Sequence, residues 1–392
     1  MASRLIVRGG RVVQPHDTKM ADLLIEDGRL SAIEPGGAAR WAGSGDRVLD
    51  AEGADVLPGL VDIHCDTIEK EAEPRPNTIF PLEMAFLQFE RKLAGHGITS
   101  MFHSLSLGVG LSLRGEQIVA DLVETIHACA RERAMIRHGV HLRYEVSHLT
   151  GFPLAERFIE RGMIDYLSLM DHAPGQGQYK RPGAFERYVM KNQGVDAEEC
   201  ARIVEDLQER RKRVDWSKLH ALTAAAKRRG IAVASHDDDT PEQVERSRAF
   251  GAGVVEFPLN LETAAYATSR GLQVCVGAPN IVRGGSHDKN LTALEAIRAG
   301  AADIVCSDYH PASLLHAVYV LARAGIGLAD AVRMATLAPA KALGRDGEIG
   351  SLEPGKRADV LIVRQVRDCP VVTHTIVNGT VVLETRDYPI GG

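Results

Sequence analysis

The middle of the chain alternates short apolar runs with longer amphipathic stretches, and this alternation is the strongest constraint on its fold. Eight predicted strands lie at residues 57–64, 98–105, 140–147, 165–172, 231–238, 253–260, 272–279 and 302–308. Helical patterns separate them, for example over residues 116–136. Eight strand–helix repeats within residues 57–345 are typical of a TIM-like (β/α)₈ barrel, an α/β fold whose parallel strands are connected by helices.

The two ends of the chain follow a different pattern. Residues 1–56 and 346–392 contain short alternating runs that Gly, Asn-Gly and Asp-Gly turns separate. Such runs are typical of strands and hairpins. We therefore predict that both ends together form one small composite β-sandwich domain beside the barrel of residues 57–345.

Residues 173–218 interrupt the barrel pattern with a polar and charged segment, which includes the run DAEECARIVEDLQERRKRVDW. One interpretation is a solvated helical excursion, because charge-rich helix faces usually point to water. The other interpretation is a lid or an oligomer contact above the barrel mouth. The sequence leaves both open.

The overall composition excludes several classes of protein. The 392 residues carry a formal charge of −6, so nothing indicates attraction to nucleic acid or to an anionic membrane surface. No stretch reaches the roughly 18 uncharged apolar residues of a membrane span, and the N-terminus lacks the apolar core of a signal peptide. The six cysteines are scattered, which favours reduced thiols. We expect a soluble cytoplasmic protein, and a homodimer as the commonest symmetric assembly.

Residues of metal-ligand type stand at the end of nearly every predicted barrel strand, where barrel enzymes carry their chemistry. They are His64, Asp66, His103, Glu145, His148, Asp171, His172, His236, Asp237, Asp238, Glu256, Asn280, Asp308 and His310. One such residue alone is weak evidence, because a lone His is usually structural and Asp after a strand is often a helix cap. Glu145 and Glu256 are stronger, since a carboxylate in an apolar strand is costly unless it is paired or metal-bound. Because so many residues of metal-ligand type end strands on the same face of the barrel, we predict that they form one shared site.

The first barrel strand ends in LPGLVDIHCD, residues 57–66. Strand residues alternate faces, so His64 and Asp66 point to the same side. We predict that they are the first ligands of a divalent metal, and a nitrogen–oxygen ligand set suits Zn²⁺, Mn²⁺ or Fe²⁺. Asp62 is expected to orient a ligand imidazole from behind.

The pattern PGLVDIHCD, followed by polar strand ends and a final SDYHP, resembles the amidohydrolase superfamily, and the likeness extends to both chain ends. The motifs HCDTIEKEAEPRPNTIFP, LMDHAPGQGQY, SHDDDTPEQV, GAPNIVRGGSHDKN and SDYHPASLL together resemble one branch of it, the diphosphatases of phosphonate metabolism. That resemblance implies hydrolysis of the 5-triphosphate of a ribose phosphonate, a phosphorylated sugar, to the 5-phosphate and diphosphate.

The resemblance also implies a ligand set, although this chain departs from the commonest pattern. The usual first-strand motif is His-x-His, and the familiar carboxylated lysine has no match here. The implied ligands are His64, Asp66, Glu145, His172, His236 and Asp308. The choice between His172 and Glu256 stays open; we favour His172 and give Glu256 a supporting position. Whether one or two ions bind also stays open.

The remaining roles concern the substrate. Asp308 is expected to accept the proton of the attacking water, and His310 to protonate the leaving group or to bind phosphate. The loop NIVRGGSHDKN, residues 280–290, has the glycines and cations of a phosphate-binding loop, or is a turn with incidental charge. The predicted substrate-binding residues are Arg75, Lys180, Asn280, Arg283, Ser286, His287 and Lys289.

Two other functions compete with a metal-dependent phosphoanhydride hydrolase. A superfamily enzyme that acts on a cyclic amide, an N-acyl amino acid or a deaminase substrate would leave the loop cations without a purpose. A catalytically silent scaffold predicts missing ligands, whereas the ligand types here are nearly complete. The sequence therefore favours the phosphoanhydride hydrolase.

Overall fold

The computed structural model describes residues 4–76, 78–108, 115–180, 183–193, 196–285 and 291–385. Five strands precede the barrel: β1 (Arg4–Val13), β2 (Thr18–Glu26), β3 (Arg29–Glu34), β4 (Arg47–Asp50) and β5 (Asp55–Pro58). The barrel strands are β6 (Leu60–Cys65), β7 (Ile98–Leu107), β8 (Arg137–Glu145), β9 (Tyr166–Met170), β10 (Ala232–His236), β11 (Val254–Glu256), β12 (Gln273–Gly277) and β13 (Ile304–Cys306). Three strands follow: β14 (Val360–Val366), β15 (Cys369–Val377) and β16 (Thr380–Glu384).

The α-helices lie mainly between the barrel strands. They are α1 (Ala38–Trp41), α2 (Thr67–Ala72), α3 (Leu82–Gly95), α4 (Glu116–Glu132), α5 (Phe152–Glu160), α6 (Ala184–Gln193), α7 (Ala197–Lys212), α8 (Trp216–Arg228), α9 (Pro241–Ala249), α10 (Leu261–Ser269), α11 (Ala278–Arg283), α12 (Ala293–Arg298), α13 (Ser313–Arg323), α14 (Leu328–Met334) and α15 (Leu337–Ala342). None of these helices, within the described ranges, is both long and apolar enough to span a membrane.

The eight barrel strands pair in chain order, each parallel to its neighbour, from β6 to β13. A bridge between Cys65 and Asp308 brings the first and last strands together, and Asp308 N donates to His64 O at 2.9 Å. The predicted (β/α)₈ barrel is therefore confirmed. Strand β11 is shorter than the sequence suggests, because Phe257 has a φ of 52° and leaves the extended conformation.

Burial on both faces explains why the barrel strands read as apolar runs. All ten residues of β7 are buried, as expected for a strand with helices outside and side chains inside. Helix α3 covers it with a stripe of buried residues at helical spacing, Phe86, Phe89 and Leu93. Apolar side chains thus pack between the strands and the surrounding helices. The polar side chains of the strands lie in the centre of the barrel and at its carboxyl end.

Both ends of the chain contribute to one mixed sheet. Its order is β16-β15-β14-β5-β1-β2-β3, and β4 pairs with β1. Strand β5 joins the two halves, because it is antiparallel to β14 and parallel to β1. The composite β domain predicted from the two ends is a single connected sheet.

The polar insertion is helical, as its sequence pattern suggests. Helices α6 and α7 pack on each other through a small core that includes Phe185 and Leu207. Arg211 of α7 anchors them to the barrel, since its Nε lies 3.0 and 3.1 Å from the two carboxylate oxygens of Asp171, just after β9. The insertion is therefore fixed beside the carboxyl end of the barrel.

The contact between barrel and sheet includes a buried carboxylate. Asp55 of β5 is 4% exposed and accepts hydrogen bonds from Tyr319 OH at 2.7 Å and from Arg11 Nε. We predict that Tyr319→Phe lowers the free energy of unfolding by about 1–3 kcal/mol, because one buried carboxylate oxygen loses its donor. Urea denaturation monitored by circular dichroism measures this.

Tyr266→Phe is the matched control. Its hydroxyl lies 3.1 Å from Glu245 Oε1, and that carboxylate keeps Arg248 and Arg270 as ion-pair partners. A change within about 0.5 kcal/mol is expected for the control. Equal losses in both variants would show that the buried Asp55 contact is not special.

Candidate active site

Three fully buried side chains from different strands meet inside the barrel. His64 lies on β6, His141 on β8 and Glu256 on β11, and none is more than 1% exposed. The Oε1 atom of Glu256 lies 3.0 Å from His64 Nδ1 and 3.8 Å from His141 Nε2. The three candidate ligand atoms lie within 4.8 Å of one another. We call these three residues the inner cluster.

A second group lies next to the first and is partly open to solvent. It consists of His172, which follows β9, together with His236 and Asp237 at the end of β10. His172 Nε2 lies 3.4 Å from Asp237 Oδ2, and His236 Nε2 lies 3.8 Å from Asp237 Oδ1. We call these three residues the outer cluster. Glu256 connects the two clusters, because its Oε2 lies 3.3 Å from His236 Nδ1.

The donor atoms of both clusters fit a divalent cation. Four buried ligand atoms have no hydrogen-bond partner among the described residues: His64 Nδ1, Glu256 Oε1, His172 Nε2 and Asp237 Oδ2. Unpaired buried polar atoms are costly, and a cation between them would satisfy them. Imidazole nitrogen with carboxylate oxygen suits Zn²⁺, Mn²⁺ or Fe²⁺. The side chains present are therefore compatible with the metal expected from the sequence.

Burial keeps three fully or largely buried imidazoles of the site neutral. It lowers the pKa of His64, His141 and His236 well below the ordinary value of 6.5. The positive charge of Arg143 acts on all three rings in the same direction. Neutral imidazole is the form that binds a metal, so these ligands do not have to lose protons first.

Hydroxyl groups hold the inner cluster in place. Ser104 Oγ lies 3.0 Å from His141 Nδ1 and accepts a 3.0 Å hydrogen bond from Cys65 N. Ser168 Oγ donates to Glu256 Oε2 at 2.9 Å and also contacts His141 Nε2. Partners of this kind fix the orientation of ligand side chains.

Asp308 lies where β13 meets β6, and its carbonyl accepts from Asp66 N at 2.9 Å. Its φ of 58° is left-handed, as are those of Asp237 at 59° and Phe257 at 52°, which follow β10 and β11. Such conformations in residues other than glycine cluster at functional sites. Burial raises the pKa of Asp308 to about 7, and the negative charge of Asp66 adds to this shift.

Two predicted residues, Asp62 and Glu145, accept hydrogen bonds from the backbone of cluster residues. Asp62 Oδ1 accepts hydrogen bonds from the backbone N–H of Ser307 at 3.1 Å and of His64 at 3.4 Å. It therefore joins β6 to β13 through backbone contacts, and its expected role in orienting an imidazole stays a prediction. Glu145 accepts from the backbone N–H of His172 at 3.1 and 3.3 Å. It positions His172 and belongs to neither cluster.

The structure brings some predicted ligands into the clusters and leaves others beside them. His64, His172 and His236 are members, while Asp66, Glu145 and Asp308 lie alongside. Glu256, which the sequence assigns to a supporting position, forms the centre of the inner cluster. Both alternatives for the last ligand, His172 and Glu256, thus have ligand-type neighbours, one in each cluster.

The predicted substrate-binding residues are spread over several loops. Arg75 and Arg283 are exposed, one in the loop after α2 and the other at the end of α11. Lys180 Nζ lies 2.5 Å from Asp239 Oδ2, after β10. His310 is exposed and belongs to neither cluster. Ser286, His287 and Lys289 lie outside the described residues.

Asn280 has a structural position in α11, the helix that follows β12. Its Nδ2 donates to Leu291 O at 3.1 Å, and its Oδ1 accepts from Ala293 N at 3.0 Å. These bonds tie α11 to the start of α12. Both ends of the amide are therefore engaged, and the geometry does not favour the predicted contact with substrate.

His141 and Arg143 belong to the site but are not among the residues predicted from the sequence. They alternate with Glu145 along β8, and a polar residue at every second position of a buried strand is the signal that could have found them. Asp237 is among the polar residues at the predicted strand ends, but an Asp in that position is more simply explained as a helix cap. In the structure Thr240 caps α9, since its side chain accepts from Gln243 N.

Glu256 supplies the only carboxylate of the inner cluster. We predict that Glu256→Gln weakens metal binding by about 10- to 100-fold or more, because the neutral amide lacks the charge that attracts the cation. Elemental analysis after dialysis against a fixed free-metal concentration measures this.

Glu90→Gln is the matched control for a buried Glu–His pair, since Glu90 Oε1 lies 3.0 Å from His138 Nε2, outside both clusters. It should keep the wild-type metal content. Wild-type metal affinity in Glu256→Gln would contradict the assignment of the inner cluster.

Known proteins resemble this chain in sequence and in fold. The sequence profile of the Amidohydrolase family matches residues 56–382. Over 368 residues the chain is 31% identical to the alpha-D-ribose 1-methylphosphonate 5-triphosphate diphosphatase of Escherichia coli (strain K12), which covers 92% of this chain and 95% of that protein. It is 26% identical over 399 residues to the adenine deaminase of Paracoccus denitrificans (strain Pd 1222), covering 97% of this chain and 58% of the deaminase.

A crystal structure of D-hydantoinase superposes on this chain with a TM-score of 0.65 at 17% identity, covering 97% of this chain and 95% of that one. At that identity the likeness concerns the fold, and it includes both the barrel and the terminal sheet. The resemblance that the sequence motifs suggest is confirmed by the family profile and by the relative from Escherichia coli. The chain belongs to the amidohydrolase family.

Proposed function

We propose that this protein is a metal-dependent hydrolase that converts α-D-ribose 1-methylphosphonate 5-triphosphate to the 5-phosphate and diphosphate in phosphonate catabolism. The observation that carries the proposal is the pair of adjacent ligand clusters beside Asp308 at the carboxyl end of the barrel. The substrate is inferred from the 31% identity to the diphosphatase, which extends over 92% of the chain.

Hydrolysis of a phosphoanhydride needs a nucleophilic water and neutralisation of phosphoryl charge. A divalent ion, when bound, lowers the pKa of water from about 15.7 towards roughly 7 and neutralises negative charge on the phosphoryl group. The inner cluster would hold it through His64, His141 and Glu256, and the outer cluster could hold a second ion. In the inner cluster, neutral imidazoles face a fully buried carboxylate.

Asp308 is proposed to accept a proton from the attacking water. Its carboxylate is buried next to Asp66, which raises its pKa to about 7 and makes it a better proton acceptor than an ordinary aspartate. The water oxygen bonds to the α-phosphorus, the bond from that phosphorus to the bridging oxygen breaks, and diphosphate leaves with the electron pair. Diphosphate is a stable anion and can leave without being protonated. The exposed His310 is therefore not needed as a proton donor.

Cations near the mouth are proposed to hold the triphosphate. Lys180 is 2.5 Å from Asp239 and would exchange this partner for a phosphate oxygen. Lys70 of α2 lies near enough to Asp308 for its charge to lower the carboxyl pKa, partly opposing the effect of burial. Arg75 remains a proposed contact on an exposed loop.

A second candidate function is hydrolysis of an amide or amidine bond. The likeness to adenine deaminase favours it, although this chain spans 58% of that protein. The same clusters could activate water for attack at carbon. This function gives no role to the buried positive charge of Arg143 among the ligand side chains.

The phosphoanhydride reaction is testable by ³¹P NMR on the purified, metal-loaded protein with the ribose phosphonate triphosphate, and with ATP for comparison. We predict release of diphosphate that a chelator abolishes. Asp308→Asn should slow it by about 10²–10⁴-fold, because the amide cannot accept the proton.

Metal content measured on the same samples separates loss of proton transfer from loss of the ion. Asp50→Asn, which changes an exposed partner of Arg8 on the terminal sheet, should keep the wild-type rate. No release from either triphosphate by metal-loaded protein, together with turnover of an amide or amidine, would favour the second candidate.

A further inference from the structure

Arg143 is a buried cation inside the barrel. It lies on β8 between the inward-facing His141 and Glu145 and is 8% exposed. Its Nη2 lies 3.2 Å from His236 Nε2, and its Nη1 donates to Ser106 Oγ at 3.4 Å. Its Nε is buried and has no hydrogen-bond partner among the described residues. The guanidinium therefore has donors to spare.

The hydrogen-bond partners of Arg143, Ser106 and His236, are neutral, which distinguishes it from two other partly buried arginines. Arg137 pairs with Asp359, and Arg211 pairs with Asp171. Arg143 forms no ion pair with any carboxylate in the described part of the chain. The carboxylates of Glu256 and Asp308 act on this charge through space, but neither is a hydrogen-bond partner of the guanidinium. A buried charge is costly unless it is paired, so the spare donors of Arg143 favour an anionic partner that binds from outside.

Arg143 lies against the outer cluster and near Asp308. Its hydrogen bond to His236 places it against the outer cluster, and its charge acts on Asp308, whose pKa it lowers. His236 Nε2 is also a candidate ligand atom. A cation on that nitrogen would occupy its lone pair, so Arg143 would lose this acceptor and be free to bind an anion beside the clusters.

We propose that Arg143 binds two oxygens of the phosphoryl group that is attacked, as a catalytic residue in direct contact with the substrate. A planar guanidinium offers two parallel N–H donors that match phosphate geometry, which an ammonium does not. A neutral amide offers no such partner, so Arg143 would select phosphoanhydrides over the substrates of amide-cleaving relatives. The identity of the substrate rests on the proposed function, whereas the anion site itself does not.

The test is calorimetric titration of inorganic phosphate into metal-loaded and metal-depleted protein. We expect Arg143→Gln to weaken phosphate binding by about 10- to 100-fold in the metal-loaded protein, with the metal content unchanged. Arg143→Lys keeps the charge without the planar fork and should bind phosphate more weakly than wild type. Arg364→Gln, an exposed partner of Glu52 on the terminal sheet, is the control and should bind phosphate as wild type does.

Several results would overturn the proposal. Wild-type phosphate affinity in Arg143→Gln is one, and a reduced metal content in that variant is another, because it would assign Arg143 to holding His236 instead. If Arg143→Gln does not fold, the phosphate affinity of Arg143→Lys decides, and a wild-type affinity in that variant counts against the proposal.

Arg143-dependent phosphate binding without triphosphate cleavage would reject the proposed function alone. Cleavage with unchanged phosphate binding in the variants would reject this inference alone.

Discussion

The arrangement of the active site depends on one buried carboxylate. Glu256 has no solvent exposure, and its two oxygens approach three imidazoles from three other strands. A charge in such a place is costly unless cations or donors compensate it. Burial keeps those imidazoles neutral, so they do not neutralise it; Ser168 and His236 supply hydrogen bonds to Oε2, and the positive charge of Arg143 compensates it in part. A divalent cation bound between these side chains would supply the positive charge that the neutral imidazoles lack.

Much of the fold is predictable from the sequence, because it follows from local patterns. Apolar strands that alternate with amphipathic helices lead to a parallel barrel, and turn-rich ends lead to a separate sheet. The order of the terminal sheet is not predictable in this way, since β5 pairs with β14 from the far end of the chain. The early end of β11 is also not predictable from the sequence, because the left-handed conformation of Phe257 has no local sequence signature.

The site is predictable where a motif marks it, as for His64 and His236, and less so elsewhere. His141 and Arg143 lie within a strand, and only their contacts with residues of other strands, Glu256 and His236, show that they belong to the site. Asn280 has the right chemistry for a phosphate contact, but its amide is used to join two helices. Residue type and chain position thus indicate that a metal site exists, whereas its membership depends on tertiary contacts.

The measurement that tests this account most directly is anomalous X-ray diffraction from crystals of the metal-loaded protein, recorded on both sides of the metal absorption edge. We predict a peak at about 2.0–2.2 Å from the ligand atoms of the inner cluster, His64, His141 and Glu256. A second peak at the outer cluster would establish a two-metal site. Active, metal-loaded protein whose anomalous peaks all lie away from both clusters would contradict the central claim.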